Sequence, residues 1–147
     1  MEKNLERPYT GPWLDKKSEK VFLQNGDYHE ICRYVRAWRL TPEGEAFLVG
    51  NCRPEAIEAY TEVWSLRSEN EVRLIERKDT KLVQGYIKRY PLCYEAQKLL
   101  VEQGRKEDIL CLVGTKFPLH SEVIKILPQR GEGLVEAYYS VAKFRAI

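Results

Sequence analysis

Histidine is scarce in this chain, with only His29 and His120 among 147 residues, and methionine occurs once. No GxSxG, P-loop, HExxH or GxGxxG pattern is present. The signatures of a nucleophile elbow, a phosphate-cradling loop, a zinc protease and a dinucleotide fold are therefore all missing. The four cysteines, Cys32, Cys52, Cys93 and Cys111, show no CxxC spacing. Neither a zinc site nor a disulfide framework is indicated, and free thiols fit a reducing compartment. Apolar runs fall far short of the roughly 20 residues a membrane span needs, so no membrane partner is expected. The N-terminus lacks the basic-then-apolar form of a signal peptide, which makes the cytoplasm the default location. These absences predict a non-catalytic protein with no cofactor and no metal.

What is present is a repeat. Leu14, Leu40, Leu66, Leu92 and Leu119 open five segments spaced by 26, 26, 26 and 27 residues. Counting each leucine as position zero, position eight reads Phe22, Leu48, Leu74, Leu100 and Leu127, and position seventeen reads Ile31, Ile57, Val83 and Ile109. Position twenty reads Tyr34, Tyr60, Tyr86 and Leu112; in the fifth segment the matching Val135 and Tyr138 come one residue early. Each segment holds two apolar-periodic runs of about ten residues, too short to persist as isolated helices in water. Their order must come from stacking against neighbours.

Local signals agree. Thr41 before Pro42 places an N-cap ahead of a proline suited to the first turn, and Ser68-x-x-Glu71 reads as a capping box. Gly26, Gly104 and Gly131 stand where left-handed residues end helices. The predicted fold is all-α, a right-handed or gently curved α-solenoid of about five two-helix hairpins. Residues 14–147 are expected to form one solenoid domain. Residues 1–13, rich in turn formers and aromatics, are read as an extended arm.

In architecture residues 14–147 resemble the broad group of short two-helix solenoids that includes tetratricopeptide, HEAT-like and leucine-rich-variant arrays. The 26-residue period is shorter than the roughly 34 of tetratricopeptide repeats, whose signature residues are also absent, so no residue role carries over. The resemblance implies a scaffold or peptide-binding adaptor.

The candidate site is an acidic row. Position three is Glu43, Glu69, Glu95 and Glu122, and position five adds Glu45 and Glu71, with Glu19 in the first segment. Stacking would align these carboxylates into a ridge for a basic protein or peptide partner. The competing explanation is local, since a carboxylate in a first helical turn gains roughly 0.3–1 kcal/mol from the helix dipole. A nucleic-acid-binding solenoid using Arg33, Arg36, Arg39, Arg67, Arg73, Lys88 and Arg89 is the alternative. It is disfavoured because the second segment, with five glutamates and one arginine, interrupts any basic stripe. An enzyme without a recognisable motif ranks third. The C-terminal run 134–147 is unusually apolar, and predicts either a two-fold homodimer through Tyr139 and Phe144 or a tail that buries its own excess.

Overall fold

A computed structural model describes residues 11–141. The segment that opens at Leu14 holds α1 (Lys16–Asn25) and α2 (Tyr28–Ala37), and the next holds α3 (Pro42–Asn51) and α4 (Pro54–Thr61). They are followed by α5 (Ser68–Glu76) and α6 (Thr80–Arg89), α7 (Tyr94–Gln103) and α8 (Lys106–Val113), then α9 (Ser121–Arg130) and α10 (Leu134–Ser140). The chain is all-helical, with no strand among the described residues.

Two expected helix starts differ in outcome. Thr41 caps α3 as its sequence suggests, its hydroxyl accepting from the Gly44 N–H at 3.1 Å, with Pro42 in the first turn. Ser68 lies inside α5, whose first N–H groups, from Asn70 and Glu71, are taken by the Arg67 carbonyl. The cap position is Arg67, so Ser68 and Glu71 are one residue too late to form a capping box. The turn glycines also differ from expectation. Gly26 and Gly104 have extended backbone, with φ of −73° and −77°, and not the left-handed conformation. Their lack of a side chain serves close approach, because a Cβ there would collide with the Phe22 and Leu100 carbonyl oxygens that their own N–H groups bond.

The chain divides into two compact units, Met1–Arg73 and Leu74–Ile147. In the first unit α1 packs on α3 and α2 on α4. In the second, α6 packs on α8 and α7 on α9, and α10 lies against both α8 and α9. First helices thus pack on first helices and second on second, which gives each unit two layers. The apolar positions of the sequence register fill the layers: Leu40, Leu48, Ile57 and Leu66 are buried in the first unit, and Leu74, Val83, Leu92, Leu100, Ile109, Leu119 and Leu127 in the second. Each such side chain contributes roughly 1.5–3 kcal/mol by leaving water. Of the expected N-terminal arm, residues 1–10 lie outside the described residues, while Trp13 is half exposed.

Candidate functional site

The tyrosines of position twenty are buried to the hydroxyl, and this organises the polar interior of the first unit. Tyr34 accepts from the Leu14 N–H at 3.1 Å and donates to Glu19 Oε2 at 3.2 Å. The other oxygen of Glu19 accepts from the N–H and hydroxyl of Thr41, at 2.9 and 2.8 Å. Twenty-six residues later the arrangement recurs. Tyr60 accepts from the Leu40 N–H at 3.3 Å and donates to Glu45 Oε2 at 2.6 Å. Glu45 then reaches forward to the Arg67 N–H at 2.7 Å, Arg67 Nη1 at 2.8 Å and Asn70 Nδ2 at 2.8 Å. Each glutamate thereby ties its own hairpin to the start of the next. We call this unit a clasp.

The carboxylates are held in the interior because donors converge on them from three directions. Burial, followed by the bond to Glu45, pushes the Tyr60 hydroxyl well above its ordinary value. Gly44 belongs to the same design, since a Cβ there would meet Glu19 Oε1 where it now stands; at the corresponding place in the next clasp Asn70 carries a side chain that donates to Glu45. In the second unit the equivalent of Glu45 is Gln97, whose Oε1 accepts from the His120 N–H at 2.9 Å and whose Nε2 donates to the Leu92 carbonyl at 3.0 Å. Tyr138 accepts from the Leu119 N–H at 3.0 Å.

This arrangement corrects the expected acidic row. Glu45 is 0% exposed and Glu71 5%, so neither can face a partner, and the donors that Glu45 satisfies make it an interior tie. The Tyr34 and Tyr60 hydroxyls are interior with them. Glu43, Glu69, Glu95 and Glu122 are exposed, each in the first turn of its helix. Two have cationic neighbours, Lys16 at 3.4 Å from Glu43 and Lys125 at 3.1 Å from Glu122.

The sequence held a signal for the clasp that the row reading passed over. Glutamate at position five accompanies tyrosine at position twenty in Glu19 and Tyr34, Glu45 and Tyr60, and Glu71 and Tyr86, and both change together in Gln97 and Leu112.

The basic residues of the alternative reading are largely engaged. Arg33 pairs with Glu30, Arg36 with Glu62 at 3.2 Å, Arg67 with Glu45, and Arg73 Nη1 donates to Asn70 Oδ1 at 2.7 Å. Arg39 lies 4.0 Å from Glu45. Lys88 and Arg89 are exposed on α6. All four cysteines are free thiols, and burial pushes those of Cys32 and Cys111 up, away from reactive thiolate. Among the described residues no group of three or more metal-ligating side chains comes together, and no helix is long and apolar enough to cross a membrane. At the C-terminal end Leu134 and Tyr138 are buried while Tyr139 is 56% exposed; Phe144 lies outside the described residues.

No family model, curated protein or solved structure matches the chain.

Proposed function

We propose that this chain is a non-catalytic protein-interaction module, an α-solenoid of five hairpins with a 26-residue repeat, that presents Glu43, Glu69, Glu95 and Glu122 to a basic partner. The observation that supports it best is the sorting of the glutamates. Those at position five are buried, Glu19 and Glu45 satisfying donors of the next hairpin, whereas those at position three lie in solvent within the first turn of every first helix after α1. A clasp recurring after 26 residues is what a hairpin array needs to fix the register of one hairpin on the next. It leaves the outward carboxylates to act as a recognition surface, since complementary charge governs encounter and selectivity.

The test uses decalysine as the basic probe. The native chain should be retained on immobilised decalysine at low salt, and the triple variant Glu43→Lys, Glu69→Lys, Glu95→Lys should not, with its helical circular dichroism unchanged. Equal retention of the folded variant would return these glutamates to the role of helix-start residues. Retention of the native chain on heparin through the same salt range would favour the nucleic-acid reading instead.

A further inference from the structure

Each compact unit holds a cavity of about 300 Å³ beside its hairpin turns. The floor of the first includes Leu23, Ile31 and Phe47, and that of the second Ile75, Val83 and Leu99. These residues correspond one to one at a separation of 52 positions. The polar lip corresponds as well. An amide stands on it in both, Asn51 and Gln103, and so does an arginine, Arg53 and Arg105. The rims differ elsewhere, Gly26 and Ala56 of the first standing where the second has Lys78 and Asp108, so the amide and the arginine are the polar features the two cavities share.

The arginines are also out of place as local structure. The residues that precede the second helices α2, α4, α6 and α8 read Asp27, Arg53, Asp79 and Arg105. The two aspartates cap their helices, accepting from the Glu30 and Leu82 N–H groups at 3.2 Å in each case. The arginines make no side-chain capping bond. A cation at a helix start opposes the dipole and forgoes the cap, so helix stability does not explain it. Both side chains lie across to the preceding hairpin instead. The Arg53 guanidinium sits 4.9 Å from the centre of the Tyr28 ring, and Arg105 Nη1 donates to Thr80 Oγ1 at 3.0 Å. Tyr28 and Thr80 are again 52 positions apart. A residue kept against its local preference at the rim of a cavity is where function is expected.

The charge at each lip selects the occupant. Arg53 is the one charged residue lining the first cavity. The second is lined by Lys78 and Arg105 as well as Asp108, and the Asp108 carboxylate is buried and accepts from Gln84 Nε2 at 3.1 Å. We propose that each cavity takes an apolar side chain from an extended segment of a partner protein, in which Asp or Glu adjoins that side chain and pairs with the lip arginine. The floor supplies apolar contact, and the arginine supplies a planar fork matched to a carboxylate. This inference rests on the reading of the chain as an interaction module but not on the glutamate row, which would choose a basic partner.

The probe is a fluorescein-labelled peptide of sequence Gly-Ser-Glu-Leu-Glu-Ser-Gly, titrated with the full chain and followed by anisotropy. It should bind at least about tenfold more tightly than its counterpart with lysine for glutamate, as expected for loss of one charge-assisted pair. The double variant Arg53→Ala, Arg105→Ala should weaken binding by about tenfold or more. Nitrogen-15 spectra of the unmodified chain provide a readout that needs no substitution: the Nε–H resonances of Arg53 and Arg105 should move on addition of the peptide. Equal binding of the lysine peptide, absence of binding, unchanged affinity of a folded double variant, or shifts that spare both arginines would each overturn the proposal. Decalysine retention is unaffected by any of these outcomes, so the two surfaces are judged separately.

Discussion

Glu45 in the first unit and Gln97 in the second occupy the same place in their hairpins, and both are almost wholly buried. Glu45 accepts four hydrogen bonds, from the Tyr60 hydroxyl, the Arg67 main chain and guanidinium, and Asn70. Gln97 accepts one, from His120, and gives one, to the Leu92 carbonyl. The difference follows from what faces each position. Where a tyrosine supplies a donor a carboxylate can be kept in the interior; where Leu112 replaces the tyrosine, an amide spans the same gap by donating on one side and accepting on the other. A buried charge is retained only where its whole donor set is retained with it.

The sharpest way to break this comparison is Glu45→Ala. It removes the acceptor of four donors and strands a partly buried guanidinium, so a loss of about 3–5 kcal/mol is expected in chemical denaturation. A loss below that of a single neutral hydrogen bond would show that the clasp carries no stability. The apolar counterpart should not distinguish the units: Leu48→Ala and Leu100→Ala empty equivalent, fully buried sites, and each should cost about 2–5 kcal/mol. Unequal costs would assign the difference to packing and not to the polar pair. Gln97→Glu places a carboxylate opposite the Leu92 carbonyl without a tyrosine to help, and should destabilise by about 1–3 kcal/mol in thermal melts. A stabilised Gln97→Glu variant would refute the argument from donors.

The smallest effect is read at alkaline pH. The folded state holds the Tyr60 proton more tightly than the unfolded chain does, chiefly because the hydroxyl is buried. The unfolded chain therefore loses that proton first, and the stability it brings is complete below pH 10.0, the ordinary tyrosine value, and falls as pH rises above it. The melting temperature should decline above that pH, and Tyr60→Phe should make the decline shallower. An unchanged slope would mean that other groups govern the alkaline limit.

The helical class and the buried leucines were legible because both follow from spacing alone. Two runs per segment gave two helices, and Leu40, Leu66, Leu92 and Leu119 are interior as their recurrence requires. The inward turn of Glu45 and Glu71 was not legible from composition, since glutamate in a first turn ordinarily faces water. It becomes legible only when two positions fifteen residues apart are read together, as glutamate with tyrosine and glutamine with leucine. The conformation of Gly26 and Gly104 was misread for a related reason. Glycine at a helix end suggests a positive φ, but here the missing Cβ matters for a carbonyl only four residues earlier.

The fit of Gly44 around Glu19 sets an order on sequence change. Alanine at 44 would meet an oxygen of the carboxylate that Tyr34 and Thr41 hold in place and would offer it no donor in return, so this exchange is unfavourable as a first step. Shortening Glu19 first opens the space but leaves Thr41 and Tyr34 without their acceptor. Either path descends before it recovers, and a library that varies these two positions one at a time will record both as fixed while one that varies them together can find replacements.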